Sequence, residues 1–143
     1  KVDSDKIIVF DMDEAIDLEG ETGPYVQYAH VRACRILEKA AATSESMVAD
    51  PSLLTHPEEI VLTKQLSKFP YIVRMASENM SPQRITKYSY DLATIFNSFY
   101  EKCRVIGEKP KTLELTRLRL VDCTRIVLKN CLALLGIETP DRM

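Results

Sequence analysis

Two tyrosines and three cations recur along one side of a helix predicted to begin at Tyr25. At about 100° per residue they share about 80° of arc, and we call them the tyrosine–arginine stripe: Tyr25, Tyr28, Arg32, Arg35 and Lys39. Aromatic rings stack on unpaired bases, contributing about 1–3 kcal/mol each, and Arg and Lys bind phosphates. The pattern is therefore compatible with a surface for single-stranded nucleic acid. On spacing alone, the simpler interpretation is that the tyrosines complete the core and the cations form a solvated face.

A second candidate for chemistry is a pair of carboxylates that follows a short apolar run. Residues 7–10 have strand character, and Asp11 and Asp13 come directly after them. This resembles the first motif of haloacid-dehalogenase-type phosphatases, which use one Asp as nucleophile and the other for proton transfer, with Mg²⁺. Those enzymes usually continue with Gly-Thr, whereas this chain has Glu14-Ala15. A phosphatase fragment that uses Asp11 and Asp13 is therefore the weaker alternative.

The remaining reactive residue types do not form a self-contained active site. There are two histidines, no glycine-rich phosphate loop, and no Ser or Cys beside a base. The cysteines lack the two- to four-residue spacing of zinc sites, so we expect small buried hydrophobes in a reducing compartment: Cys34, Cys103, Cys123 and Cys131. The chain is predicted to bind rather than to catalyse. We predict no metal and no cofactor in it.

Helical periodicity dominates the chain after Pro24 and predicts an all-α bundle of about five helices, preceded by a short extended segment. The predicted helices cover residues 25–42, 55–70, 71–78, 82–107 and 112–135. Thr55 and Glu58 have capping-box spacing, and Gly136 is placed to cap the last helix. The fourth helix has the clearest apolar face: Ile85, Tyr88, Leu92, Ile95, Phe96, Phe99 and Cys103. Tyr100 falls at the rim of that face.

One cation lies on the apolar side of the last predicted helix. Arg117 falls among Leu113, Leu120 and Val121. Because a buried guanidinium is costly unless it is paired, Arg117 must meet a carboxylate, a carbonyl or an RNA group. A structural ion pair is the simpler of these interpretations.

The 143 residues are 45% hydrophobic and 28% charged, which is typical of one soluble domain. No membrane span or signal segment is visible, so we expect a cytoplasmic protein without membrane contact. The net charge of −2 argues against a nucleic-acid partner. Its distribution does not, because residues 1–23 carry eight acidic and two basic side chains and residues 24–143 carry thirteen acidic and seventeen basic. An acidic connecting segment, 1–23, precedes a basic helical domain, 24–143.

Fifteen consecutive residues, from Leu18 to Arg32, closely resemble arginyl-tRNA synthetases where the chain of those enzymes enters the helical anticodon-binding domain. The resemblance spans the chain through Tyr90-Asp91-Leu92-Ala93, Phe99-Tyr100, Arg117-Leu118, Leu134-Leu135-Gly136-Ile137 and Arg142-Met143. It implies the C-terminal anticodon-binding domain of a class I ligase that makes arginyl-tRNA from arginine, ATP and tRNA. The catalytic motifs of that class are absent from this sequence, so the chain alone is expected to be inactive.

The resemblance also implies partners and site residues. The partners are the anticodon loop of an arginine tRNA and the protein's own catalytic domain, which binds ATP with Mg²⁺, and a monomer is expected. Residues matching the family's RNA contacts are Leu18, Glu19, Gly20, Thr22, Tyr25, Tyr28, Arg32, Tyr100 and Met143; Arg35 extends the stripe without matching a family motif. A helical protein-interaction module without RNA contact is the main alternative.

Overall fold

In the computed structural model, the described residues, 23–41, 49–140 and 142, contain helices and no strand. The α-helices are α1 (Gly23–Ala41), α2 (Pro57–Ser67), α3 (Phe69–Glu78), α4 (Gln83–Lys102) and α5 (Lys111–Leu134), and a 3₁₀ turn spans Pro51–Leu53. The predicted all-α fold is confirmed. The segment predicted to be extended, residues 7–10, and the carboxylates Asp11 and Asp13 lie outside the described residues.

The core lies where α1 and α5 pack against α4. The apolar side of α1 repeats at helical spacing and buries Val26, Ala29, Ala33 and Ile36. The predicted face of α4 is buried as expected, with only Ile95 partly exposed. All four of the other α-helices pack against α4, and its C-terminal half has the polar side chains of Thr94 and Asn97 on the edge beside α1. That edge positions the site described below.

The N-cap of helix α2 lies one residue later than predicted, at His56 instead of Thr55. Pro57 occupies the first helical position, where its missing N–H costs nothing, so His56 is the N-cap. The backbone N–H of His56 donates to Glu59 Oε2 at 2.8 Å, and His56 Nδ1 accepts from the Glu58 N–H at 3.4 Å. The capping box is therefore His56–Glu59, not Thr55–Glu58.

Two further helix boundaries, between α2 and α3 and at the end of α4, differ from the predicted ones. Pro70 lies in the first turn of α3 instead of ending α2, and Lys68 alone separates these helices. Helix α4 ends at Lys102, not near Gly107, because Cys103 is extended and buried. At the end of α5 the prediction is confirmed, since Gly136 has φ +70° and the Ile137 N–H donates to the Leu132 carbonyl at 2.9 Å.

Arg117 is buried and has anionic partners. Its Nε donates to Glu59 Oε1 at 2.6 Å, and its Nη1 donates to Glu108 Oε2 at 2.9 Å and to the Arg104 carbonyl at 2.6 Å. The predicted structural ion pair is confirmed, so this cation belongs to the fold.

Three of the four cysteines are buried as predicted, but Cys123 is exposed on α5. Burial raises the pKa of the Cys131 thiol to about 12.

Among the residues that the structure describes, no helix has the length and apolar character needed to cross a membrane.

Candidate nucleic-acid interface

Helix α1 presents the tyrosine–arginine stripe along the edge that faces the C-terminal half of α4. Tyr28, Arg35 and Lys39 are exposed, and Tyr25 and Arg32 are half-buried. The helix presents this stripe because its other side is buried, mainly through small or aliphatic residues together with His30, and this burial fixes the rotation of the helix about its own axis. The tyrosines therefore do not simply complete the core.

Arg32 lies at the centre of the stripe and contacts three other side chains on two helices. Its Nη2 donates to the Tyr28 hydroxyl at 3.1 Å, and its Nη1 donates to Asn97 Oδ1 at 2.8 Å. Its Cζ lies 4.8 Å from the ring centroid of Tyr28 and 5.6 Å from that of Tyr100. These are cation–π distances. The guanidinium is thus held between an α1 tyrosine and an α4 tyrosine.

A concave surface beside Arg32 joins the two helices, and we call it the α1–α4 pocket. Its volume is about 340 Å³, and its lining residues are Tyr28, Val31, Arg32, Arg35, Ile36, Lys39, Tyr100 and Ile106. Three of these are cations, and none of them is acidic. A pocket with cations, exposed rings and an aliphatic floor suits a ligand that combines negative charge with flat apolar faces, such as a nucleotide.

The electrostatics of Tyr28 reflect this positive surrounding. The hydrogen bond from Arg32 lowers the pKa of the Tyr28 hydroxyl, and the charges of Arg32 and Arg35 act in the same direction. The ring itself is 48% exposed. Tyr28 therefore has a hydroxyl held by an arginine and a ring that solvent, or a base, can reach.

Tyr25 is placed differently from Tyr28. Its ring centroid lies 5.1 Å from that of Tyr90, with the planes at 37°, and its hydroxyl accepts from Asn97 Nδ2 at 3.1 Å. A second contact, to Thr94 Oγ1, is 3.5 Å long. Part of the Tyr25 ring is therefore occupied within the domain, and Tyr28 and Tyr100 offer the larger free aromatic surfaces.

The structure brings Tyr25, Tyr28, Arg32, Arg35 and Tyr100 together at one edge of the bundle. The other positions expected to contact RNA lie outside the described residues: Leu18, Glu19, Gly20, Thr22 and Met143. Arg142, next to the last of these, lies near α1, with its Nη2 3.8 Å from Glu38 Oε1.

Sequence reasoning missed two α4 residues that shape the site, Asn97 and Tyr90. Asn97 precedes Tyr100 by three residues and so lies on the same side of α4, which is the one signal that could have found it. Nothing in the sequence distinguishes Tyr90 as the ring that packs on Tyr25.

A larger cavity, of about 610 Å³, lies at the opposite end of α4 and contains no residue of the stripe. Its lining is mainly apolar and includes the cations Arg84 and Lys87.

Across the described ranges no group of three His, Cys, Asp or Glu side chains is placed to hold a metal ion.

Comparison with known proteins agrees with this geometry. Residues 26–143 match the family described as the DALR anticodon binding domain. The chain is 42% identical over 146 residues to an arginine–tRNA ligase of Methanosarcina barkeri, covering all of this chain and 26% of that protein. It is 45% identical over 139 residues to one of Ruminiclostridium cellulolyticum, covering 94% of this chain and 24% of that protein.

Solved structures give the same picture. The arginyl-tRNA synthetase of Thermus thermophilus aligns with a TM-score of 0.79 at 38% identity, covering 94% of this chain and 23% of that chain. The Plasmodium falciparum arginyl-tRNA synthetase aligns at 0.75 and 31%, with the same two coverages. The chain thus spans about a quarter of the length of the relatives that it matches.

Proposed function

The chain belongs to the DALR anticodon binding domain family, and from that membership we propose that it is the anticodon-binding domain of an arginine–tRNA ligase. The ligase would join arginine to its tRNA with ATP, and the chemistry would take place in a catalytic domain outside this chain. Residues 1–23 would connect that catalytic domain to the helical domain of residues 24–143. The resemblance further predicts a cytoplasmic monomer, with ATP and Mg²⁺ bound by the catalytic domain.

The observation that carries the RNA-binding role is the placement of Arg32 between Tyr28 and Tyr100. No carboxylate of the described residues lies within ion-pair distance of its guanidinium, whereas Arg117, Arg125 and Arg74 each have an acidic partner. The positive charge of Arg32 is therefore not neutralised by the described part of the fold. A phosphate is the natural ligand for such a charge.

The mechanism we propose is recognition of a single-stranded loop. Splayed anticodon bases stack on the exposed rings of Tyr28 and Tyr100, while phosphates contact Arg32, Arg35 and Lys39. Tyr25 supports the interface from its edge. Positions 18–20, 22 and 143 complete the set of contacts that the resemblance implies.

A binding titration tests this function. The chain is titrated with the anticodon stem-loop of an arginine tRNA and with a version whose anticodon is changed, at several salt concentrations. We expect tighter binding of the arginine version and a linear fall of log K with log salt. Equal affinity for both RNAs would remove base recognition and leave only attraction to phosphates.

A variant separates RNA binding from the alternative of a protein-interaction module. The double substitution of Tyr25→Ala with Arg32→Ala should weaken RNA binding strongly if the stripe faces the RNA. A module without RNA contact predicts unchanged affinity. Arginine-dependent pyrophosphate exchange by the chain alone would contradict the placement of catalysis elsewhere.

A further inference from the structure

Asn97 on α4 holds two residues of the tyrosine–arginine stripe with the two ends of one carboxamide. Its Oδ1 accepts from Arg32 Nη1 at 2.8 Å, and its Nδ2 donates to the Tyr25 hydroxyl at 3.1 Å. These contacts need opposite polarity, so they determine which way the amide points. Asn97 therefore couples α4 to α1 at the point where the interface crosses from one helix to the other.

The chemical type of this contact matters as much as its position. An arginine has five N–H donors, and two hydrogen bonds are made here, to the neutral oxygens of Asn97 and Tyr28. Both partners fix the orientation of the guanidinium without adding a negative charge. Arg117 shows the contrasting arrangement, since Glu59 and Glu108 neutralise it in the core.

An aspartate at position 97 would have nearly the same shape. It would accept from Arg32, and it could also accept from the Tyr25 hydroxyl, so the hydrogen bonds would survive. The change would be the charge, because a carboxylate paired with Arg32 competes with any phosphate for that guanidinium.

We propose that Asn97 is a positioning residue of the RNA interface, which orients Arg32 between Tyr28 and Tyr100 through a neutral contact and so leaves its charge available to a phosphate. This inference rests on the proposed function. It predicts that the amide, and not merely a hydrogen-bond acceptor, is needed at this position.

The test compares N97D with wild type in titrations of the anticodon stem-loop. We expect N97D to lower affinity about tenfold near 0.1 M salt and to flatten the slope of log K against log salt by about 0.7, the value for one phosphate contact in a single strand. The melting temperature should not fall. The matched control is N130D, which adds the same charge at an exposed position of α5 and should change affinity less than about twofold.

A second background shows whether Asn97 acts through Arg32. In R32Q the additional loss from N97D should be at most about twofold, because no guanidinium remains to neutralise. An equal loss in both backgrounds would overturn the proposal, as would wild-type affinity in N97D.

Two outcomes distinguish this inference from the function on which it rests. If wild type binds both anticodons equally, base recognition fails while the Asn97 test still stands, since it needs only phosphate binding. A wild type without any RNA affinity would overturn both.

The pKa of the new carboxyl group, measured by NMR, gives a readout without RNA. This pKa should be lower in N97D than in N130D, because only the carboxyl group at position 97 lies beside Arg32. Equal values would show that Arg32 does not contact position 97.

Discussion

Glu59 and Arg117 form an ion pair that ties a helix cap to the core of the bundle. Glu59 Oε1 accepts from Arg117 Nε at 2.6 Å, and Glu59 Oε2 accepts from the His56 N–H at 2.8 Å. Glu59 is fully buried, and Arg117 is 8% exposed. The carboxylate of Glu59 thus caps the N-terminus of α2 and also neutralises a cation of α5.

We expect Arg117→Ala to lower the free energy of unfolding by about 3–5 kcal/mol, because it leaves the buried carboxylate of Glu59 without its partner. The measurement is urea denaturation followed by circular dichroism. Arg119→Ala removes an exposed arginine of the same helix and should change stability by less than about 0.5 kcal/mol. Similar losses in the two variants would show that the pair does not stabilise the fold.

The need for a partner at Arg117 could be predicted from the sequence, but the partner's identity could not. Periodicity places Arg117 on the apolar side of its helix, and the cost of a buried charge requires a neutralising group. Glu59 is 58 positions away on another helix, so only the packing of α2 against α5 brings them together. The same reason explains the misplaced capping box, since Glu59, not Glu58, points inwards.

In the interface, too, the residues of one helix could be predicted from periodicity, whereas those brought in by packing between helices could not. The tyrosine–arginine stripe lies on one helix and follows from its periodicity, so it could be predicted. Asn97 and Tyr90 contact the stripe only because α4 packs against α1 in one particular rotation. No local sequence pattern predicts that rotation. Cys123 was placed wrongly for a related reason: an apolar neighbourhood in sequence does not fix which side of α5 a residue occupies.

Acid should destabilise the protein partly through Glu114, which is 3% exposed in the first turn of α5. The hydrogen bond from Lys111, 2.9 Å long, lowers the pKa of the Glu114 carboxyl. A carboxyl whose pKa is lower in the folded than in the unfolded state stabilises the fold above the unfolded value, 4.5 here, and loses that contribution as pH falls through the folded value. Unfolding free energies between pH 6 and pH 3 should therefore fall more steeply in wild type than in Glu114→Gln.

A second variant checks the cause of that shift. Lys111→Ala removes the principal donor to Glu114 and should also reduce the dependence of stability on pH below 4.5. Identical pH profiles for wild type and both variants would contradict the assignment.

Thiol labelling should distinguish Cys123 from the other three cysteines. Cys123 is exposed, whereas Cys34, Cys103 and Cys131 are buried, and burial raises the pKa of both Cys103 and Cys131. Since the thiolate is the reactive form, a colorimetric disulfide reagent should modify one thiol rapidly in the native protein and four in denaturant. Cys123→Ser should abolish the rapid phase, and a second rapid thiol in that variant would contradict the placement.

Tyr28 should contribute to RNA binding through its ring. If one anticodon base stacks on it, Tyr28→Ala lowers the binding free energy by about 1–3 kcal/mol, whereas Tyr28→Phe retains most of the affinity because the ring remains. The chain offers a matched control in Tyr71 of α3, which is 55% exposed and has Arg74 Cζ 5.6 Å from its ring centroid. Tyr71→Ala removes a similar exposed tyrosine beside an arginine, away from the α1–α4 pocket, and should leave stem-loop affinity within about twofold of wild type. Equal effects of the two alanine substitutions would place the RNA somewhere other than on the tyrosine–arginine stripe.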